Sequence, residues 1–318
     1  MKLTAKITRI LAPTDLSGSA EEACRLAARL ANRFEAELVV FHAVQAIDVA
    51  LQVGPATERT QVQVLSGVRE RLSAWFHAVV PEELRRFLTL EAQVAVGEPA
   101  PSIAWAAKES RADFIVMATH GRSGISHLVM GSVAESVLRT APAPVLALRT
   151  GQEGRPLTEV KTILCATDLS ATSEEAWRYT LMLAGVFAAE VSLLHVVSPL
   201  EFAGIGDMRV PPPTGWLEGR VAASDKELAR KQQEVETFGL RARRRVKVGA
   251  PAATIVAEAQ EARADLIVMG THGRTGLSHL LLGSVAEAVI RKAPCPVLAV
   301  QARPRSEPEK PGSPMARA

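Results

Sequence analysis

The feature that most constrains this chain is that it is written twice. VMATHGRSGISHLVMGSVAESV, residues 116–137, returns at 268–289 as VMGTHGRTGLSHLLLGSVAEAV. Over the wider windows 111–148 and 263–300, 27 of 38 positions are identical. RILAPTDLSGSAEEA (9–23) pairs in the same order with TILCATDLSATSEEA (162–176), and LVVFHAV (38–44) with VSLLHVV (191–197). A period of about 150 residues is a duplicated domain, since solenoid units run only about 20–50. We expect domains at 1–149 and 161–302, a polar Gly/Pro-bearing linker at 150–160, and a disordered tail at 303–318 with too few apolar residues to pack.

Each copy alternates short apolar runs with amphipathic segments. In the first, strands are expected at 7–12, Glu37–Val44, Leu90–Val96, Phe114–Ala118 and Val145–Leu148. Helices are expected at 19–34, 57–80, 101–110 and Ser132–Thr140. Ala23, Leu26, Ala27, Leu30 and Phe34 form one apolar face of the first. Runs such as FIVMA and LIVMG are apolar throughout, as strands buried on both faces are. The fold class is therefore α/β, with two tandem doubly wound, Rossmann-like domains, each a five-stranded parallel sheet flanked by helices. The insertion at 204–216 reads as a loop. RARRRVKV (241–248) reads as an outer strand whose charges discourage edge pairing.

Composition narrows the function. At 47% hydrophobic and 22% charged residues the chain has ample material for two cores. Residues 1–150 carry 16 basic against 15 acidic side chains and the remainder 21 against 19, so neither half has a nucleic-acid binder's charge excess. Three cysteines without a CxxC pair fit a reducing compartment. The N-terminus has no run resembling a signal peptide, and no stretch is long and apolar enough for a membrane span, so a cytoplasmic chain with no membrane partner is expected.

Doubly wound sheets bind ligands beyond the carboxyl ends of their strands, where strand order reverses. The loops there are PTDLS, HAV and THGRSGISH in one copy, and ATDLS, HVV and THGRTGLSH in the other. Gly270 follows a strand directly, so backbone there can approach a ligand without a Cβ in the way. Gly283 precedes Ser284, and Ser284-x-x-Glu287 has the spacing of a capping box opening the last helix. A helix N-terminus behind small residues is a ready phosphate site, and Arg274 can add a charge-assisted contact. Plain helix capping is the competing reading. Asp15 and Asp168 each end a first strand, ahead of the capping-box spacings Ser19-x-x-Glu22 and Thr172-x-x-Glu175. Such a carboxylate accepts from ribose hydroxyls or an adenine amine, or else makes an Asx-turn.

Together PTDLS, FHAV/LHVV and MGTHGRTGLSHLLLGSVAEAV resemble the universal stress protein family in its tandem two-domain form. The ATP-binding branch of that family carries the signature Gly-x2-Gly-x9-Gly-[Ser/Thr], matched in full by Gly270, Gly273, Gly283 and Ser284. The resemblance implies that Thr167 and Asp168 face the adenosine end and Val196 the adenine. Met269 would flank the first glycine and Val285 add a backbone contact, while Ala166 stands where the family commonly has proline. The first copy matches at Pro13, Thr14, Asp15, Ala43, Met117, Gly121, Gly131, Ser132 and Val133, with Arg122 a further candidate contact as the counterpart of Arg274, and departs at Ala118, where a methyl group replaces the first signature glycine. The implied ligand is ATP, with or without Mg²⁺, bound more tightly by the second copy. The family's last strands, here 144–148 and 296–300, would pair internally. A homodimer and an unidentified protein partner remain open.

The GXXG sequences at 121–124 and 273–276 also fit an RNA-binding KH loop, but that loop joins two helices and these follow strands. The pairs His120/His127 and His272/His279 lack a metal ligand's usual spacing and companions, so loop hydrogen bonding is their expected role. His42 and His195 read as partly buried and hydrogen-bonded. With one carboxylate per crevice and no separate base, no catalytic residue is assigned, and nucleotide-dependent regulation in stress response is the expected activity. Slow ATP hydrolysis and a ligand-free interaction scaffold are the alternatives.

Overall fold

The computed structural model describes residues 6–45, 58–120, 130–149, 159–170, 173–199, 213–271 and 282–301. Most of the expected linker and the whole tail lie outside them. In chain order the first copy contributes β1 (Arg9–Pro13), α1 (Gly18–Phe34), β2 (Glu37–Val44), α2 (Glu58–Val79), α3 (Glu82–Arg85), β3 (Leu90–Val96), α4 (Pro99–Glu109), β4 (Phe114–Ala118), α5 (Ser132–Thr140) and β5 (Val145–Leu148). The second contributes β6 (Thr162–Ala166), α6 (Ser173–Phe187), β7 (Glu190–Val197), α7 (Trp216–Thr237), β8 (Ala242–Val248), α8 (Pro251–Glu261), β9 (Leu266–Gly270), α9 (Ser284–Lys292) and β10 (Val297–Val300).

All ten strands form one mixed sheet in the order β3-β2-β1-β4-β5-β10-β9-β6-β7-β8. Within each half every pairing is parallel. The halves join where β5 and β10 run antiparallel, with Leu146 opposite Leu298. This is the internal pairing of last strands that the family resemblance implies. It also points the two halves' carboxyl ends in opposite directions.

Strand alternation sorts side chains into two cores. Ile10, Ala12, Phe114 and Val116 face α1 and α2, and the same core continues across the seam to Trp177 and Leu183 of α6 and Leu228 of α7. Leu11, Ile115 and Met117 face Ile103 of α4 and Val137 of α5, continuing to Ile255 of α8 and Val289 of α9. Because each core crosses the seam, the halves share one interior on each face of the sheet.

Several boundaries differ from expectation for local reasons. β1 begins at Arg9 and runs through Pro13. α4 begins at Pro99 because proline, lacking an N–H, suits a helix's first position. The four-residue α3 is too short to produce a period. The capping box at Ser19 is not formed: Ser17 caps α1 by accepting from the Ala20 N–H at 3.3 Å. Thr172 lies outside the described residues, and Ser170 Oγ accepts from the Ser173 N–H at 3.3 Å. Gly283, not Ser284, is the cap residue of α9, and Gly131 that of α5.

Candidate functional site

Strand order reverses between β1 and β4 in the first half and between β6 and β9 in the second. The crevice beyond their carboxyl ends is built by two loops. In the first, the Thr14 N–H donates to Phe41 O at 2.9 Å, tying the end of β1 to β2. His42 Nδ1 donates to Thr14 O at 2.7 Å from the neighbouring strand. Leu16 then turns with φ 64°, a left-handed conformation costly for a branched residue. The Leu16 N–H donates to Thr14 Oγ1 at 2.9 Å, and the Ser17 N–H and Oγ–H donate to Asp15 Oδ1 at 3.0 and 2.5 Å. Asp15 thus makes the Asx-turn that leads into α1.

The second copy reproduces this loop. His195 Nδ1 donates to Thr167 O at 2.8 Å, the Leu169 N–H to Thr167 Oγ1 at 3.0 Å, and the Ser170 N–H and Oγ–H to Asp168 Oδ1 at 3.0 and 2.6 Å. Leu169 has φ 62°. Both histidines are therefore strand-end donors, and His195 is fully buried. Each carboxylate's Oδ1 is committed to its turn.

The other loop is pinned at both ends. The Thr119 N–H donates to Leu148 O at 2.7 Å, and the Gly131 N–H returns to Thr119 O at 2.8 Å. Thr271 and Gly283 repeat the pattern through Val300 O and Thr271 O, at 2.9 and 2.8 Å. A Cβ on Gly131 would sit 3.3 Å from Thr119 O, so glycine permits this close return. Neither Gly131 nor Gly283 is accompanied by a side-chain cap hydrogen bond. The caps of α5 and α9 thus place no side chain of their own over the first-turn N–H groups, where the positive end of the helix dipole lies.

In the first half these loops border a cavity of about 330 Å³. All nine sequence-derived candidates of that half within the described residues line it: Pro13, Thr14, Asp15, Ala43, Met117, Ala118, Gly131, Ser132 and Val133. Gly121 and Arg122 lie outside the described residues. In the second half Ala166, Thr167, Asp168, Val196, Met269, Gly270, Gly283, Ser284 and Val285 occupy the equivalent strand ends and helix start. Gly273 and Arg274 lie outside.

Beyond the motif residue Phe41, the cavity has walls the motifs did not reveal. Phe41 on β2 and Pro99 and Ile103 on α4 line it, adding apolar side chains to the polar helix start. The repeat carries a signal for two of them, since GEPAPSI (97–103) returns as GAPAATI (249–255). His120 also lines the cavity, with Nδ1 3.0 Å from Thr119 Oγ1. Among the described residues no group of three or more His, Cys, Asp or Glu is arranged to hold a metal; His127, His272 and His279 lie outside them. No described helix is long and apolar enough to cross a membrane.

Two doubly wound halves joined edge to edge, with crevices at their switch points, define a tandem Rossmann-like α/β protein. Residues 6–149 and 159–301 each match the universal stress protein family, and the chain belongs to it. It is 39% identical over 150 residues to a universal stress protein of Methanocaldococcus jannaschii, covering 46% of this chain and 85% of that one. A universal stress protein of Mycolicibacterium smegmatis is 28% identical over 302 residues, 92% of this chain and 97% of its own. The crystal structure of a universal stress protein from Archaeoglobus fulgidus shares the fold at 22% identity, with a TM-score of 0.65 over 94% of this chain and 100% of that one.

Proposed function

We propose that this tandem universal stress protein binds ATP at the switch point of each half and acts in stress response as a nucleotide-dependent regulator. The observation that carries this reading is the glycine-preceded helix start of α5 lining a cavity whose wall also includes the apolar Phe41, Pro99 and Ile103. Uncapped N–H groups at a helix N-terminus suit phosphate oxygens, and the apolar wall suits a base. A volume of about 330 Å³ falls within the usual range of small-ligand pockets, about 300–1,000 Å³.

In this reading Ser132 and Val133, or Ser284 and Val285, present N–H groups to the phosphates. Gly121, Arg122, Gly273 and Arg274 complete the phosphate loops. Thr14 and Asp15, or Thr167 and Asp168, face the adenosine, and Ala43 or Val196 lies by the adenine. Pro13, Met117 and Ala118, or Ala166, Met269 and Gly270, form the floor. Bound Mg²⁺ would neutralise phosphate charge. Asp15 and Asp168 each spend an oxygen on their own turn, which favours holding a ligand over abstracting a proton. The second site is the tighter, because Gly270 lacks the methyl group that Ala118 adds to the floor. The domains are 1–149 and 161–302, joined by the linker at 150–160, with the tail from 303 outside both.

The test is calorimetric titration of the full chain with ATP and Mg²⁺, beside Gly283→Val and Gly131→Val. The expected result is two sites, with Gly283→Val removing the tighter. Silence at millimolar ATP overturns the reading. A single-turnover assay reads hydrolysis separately, and none is expected on the timescale of binding.

A further inference from the structure

The two outer edges of the sheet derive from the same place in the two repeats, yet they are built in opposite ways. β8 is armed with charge. Arg244 pairs with Asp225 of α7 at 2.9 Å and donates to Gln232 Oε1 at 2.6 Å. Arg245 and Lys247 reach over α8, Arg245 to Glu261 at 3.0 Å and Lys247 to Glu258 and Glu261 at 2.6 and 2.8 Å. Glu258 is only 1% exposed, so this network is anchored in the fold. At the equivalent positions β3 carries Ala92, Gln93 and Ala95, and Ala106 stands in place of Glu258. Just before β3, Phe87 is 83% exposed where the second repeat has Gly239. Among the described residues no strand lies beyond β3.

We propose that β3 is the pairing edge of a homodimer, in which the β3 strands of two copies run antiparallel about a two-fold axis and extend the sheet to twenty strands. Charged edges resist strand addition, whereas a long edge carrying a single charge, here Glu91, is a better template for it. The occupant follows from the asymmetry. A chain with two open edges would add copies head to tail without end, while one guarded and one open edge permits only closed, head-to-head pairing.

The sequence of β3 is self-complementary about Gln93. A two-fold there sets Leu90 opposite Val96, Glu91 opposite Ala95 and Ala92 opposite Val94. Apolar residues then face apolar residues, and the two Glu91 carboxylates never oppose each other. The exposed Phe87 of each copy comes to the Val96 end of the other, where Val96 is itself exposed. The chain already uses this arrangement internally, where β5 meets β10 about Leu146 and Leu298.

The test is sedimentation of the full chain at tens of micromolar. Twice the 34.0 kDa chain mass is expected. The variant Ala92→Arg/Gln93→Arg/Ala95→Lys, which transplants the charges of β8, is expected to sediment as the single chain with unchanged circular dichroism. Hydrogen exchange on the wild type needs no variant to fold: amides at 90–96 are expected to exchange at least about ten-fold more slowly above the dissociation constant than below it. A wild type that sediments as one chain overturns the proposal. So does a charged variant that stays dimeric, or β3 amides that exchange equally at both concentrations.

Discussion

Phe34 and Phe187 hold the same position in the two repeats, and their rings meet edge to face at 6.1 Å across the seam. Phe34 also lies 6.1 Å from Phe114, and Phe114 5.4 Å from Tyr179. Leu146 and Leu298, opposed at the centre of the β5–β10 ladder, line the same apolar spot. Two four-residue strands make a small ladder, so this plug carries much of the junction.

Phe34→Ala should therefore cost about 3–5 kcal/mol, as for a buried phenylalanine, and Phe187→Ala less because that ring is half-buried. The double variant should reveal a coupling of about 0.5–1.5 kcal/mol beyond area loss. Urea denaturation of the four proteins measures both. Strict additivity would show that the ring contact itself contributes nothing.

Ligand linkage gives a thermodynamic signature of the crevices. If the crevices hold ATP as proposed, a hundred times its dissociation constant should stabilise by about 2.7 kcal/mol per occupied site. Thermal unfolding should rise with ATP concentration, Gly283→Val should lose the gain seen at low ATP, and Gly131→Val the gain seen only at high ATP. The reverse order would contradict the ranking of the two sites.

The cysteines should be inert in the native protein. Burial pushes the Cys165 thiol up to about 11 and those of Cys24 and Cys295 up to about 12, from 9.0. At pH 8 a thiol-reactive dye should label none of the three until the chain unfolds. Because these native values lie above the unfolded one, their contribution to stability is whole below pH 9 and lost as pH rises toward 11–12. Replacing all three by alanine should flatten the stability–pH curve in that window.

At acid pH the guard of β8 should weaken. Hydrogen bonds from Lys247 and then Arg245 hold the Glu261 carboxyl below its usual 4.5. A depressed carboxylate contributes stability above its unfolded pKa and loses it as pH falls through the native one. Glu261→Gln should be slightly less stable than wild type at pH 7 and closer to it at about pH 3. Chemical denaturation at the two values decides it, and a difference that persists undiminished in acid would rule out the ion pair as its source.

Much of the architecture was legible because the information is local. FIVMA and LIVMG are apolar at every position, and strands buried on both faces must be. The repeat supplied the domain count, and the family resemblance supplied the internal pairing. The helix starts were less legible. Two serines flank Gly18, and propensity does not say which leaves the helix; Leu16, turned left-handed by its bond to Thr14, fixes Ser17 as the cap. Ser284 has a capping residue's chemistry, but the return of the Gly283 N–H to Thr271 O makes the glycine the cap. Pro99 and Ile103 reach the cavity only because the crossover from β3 to β4 lays α4 over it, and no motif in the loops encodes that.

The opposed run of β5 and β10 sets the two switch points at opposite poles of one sheet. One mouth looks up from the sheet while the other looks down, so a body seated at one end reads a single chamber and is blind to its twin. The chain is in that sense two-faced, and anything that docks at one pole of the sheet lies away from the other.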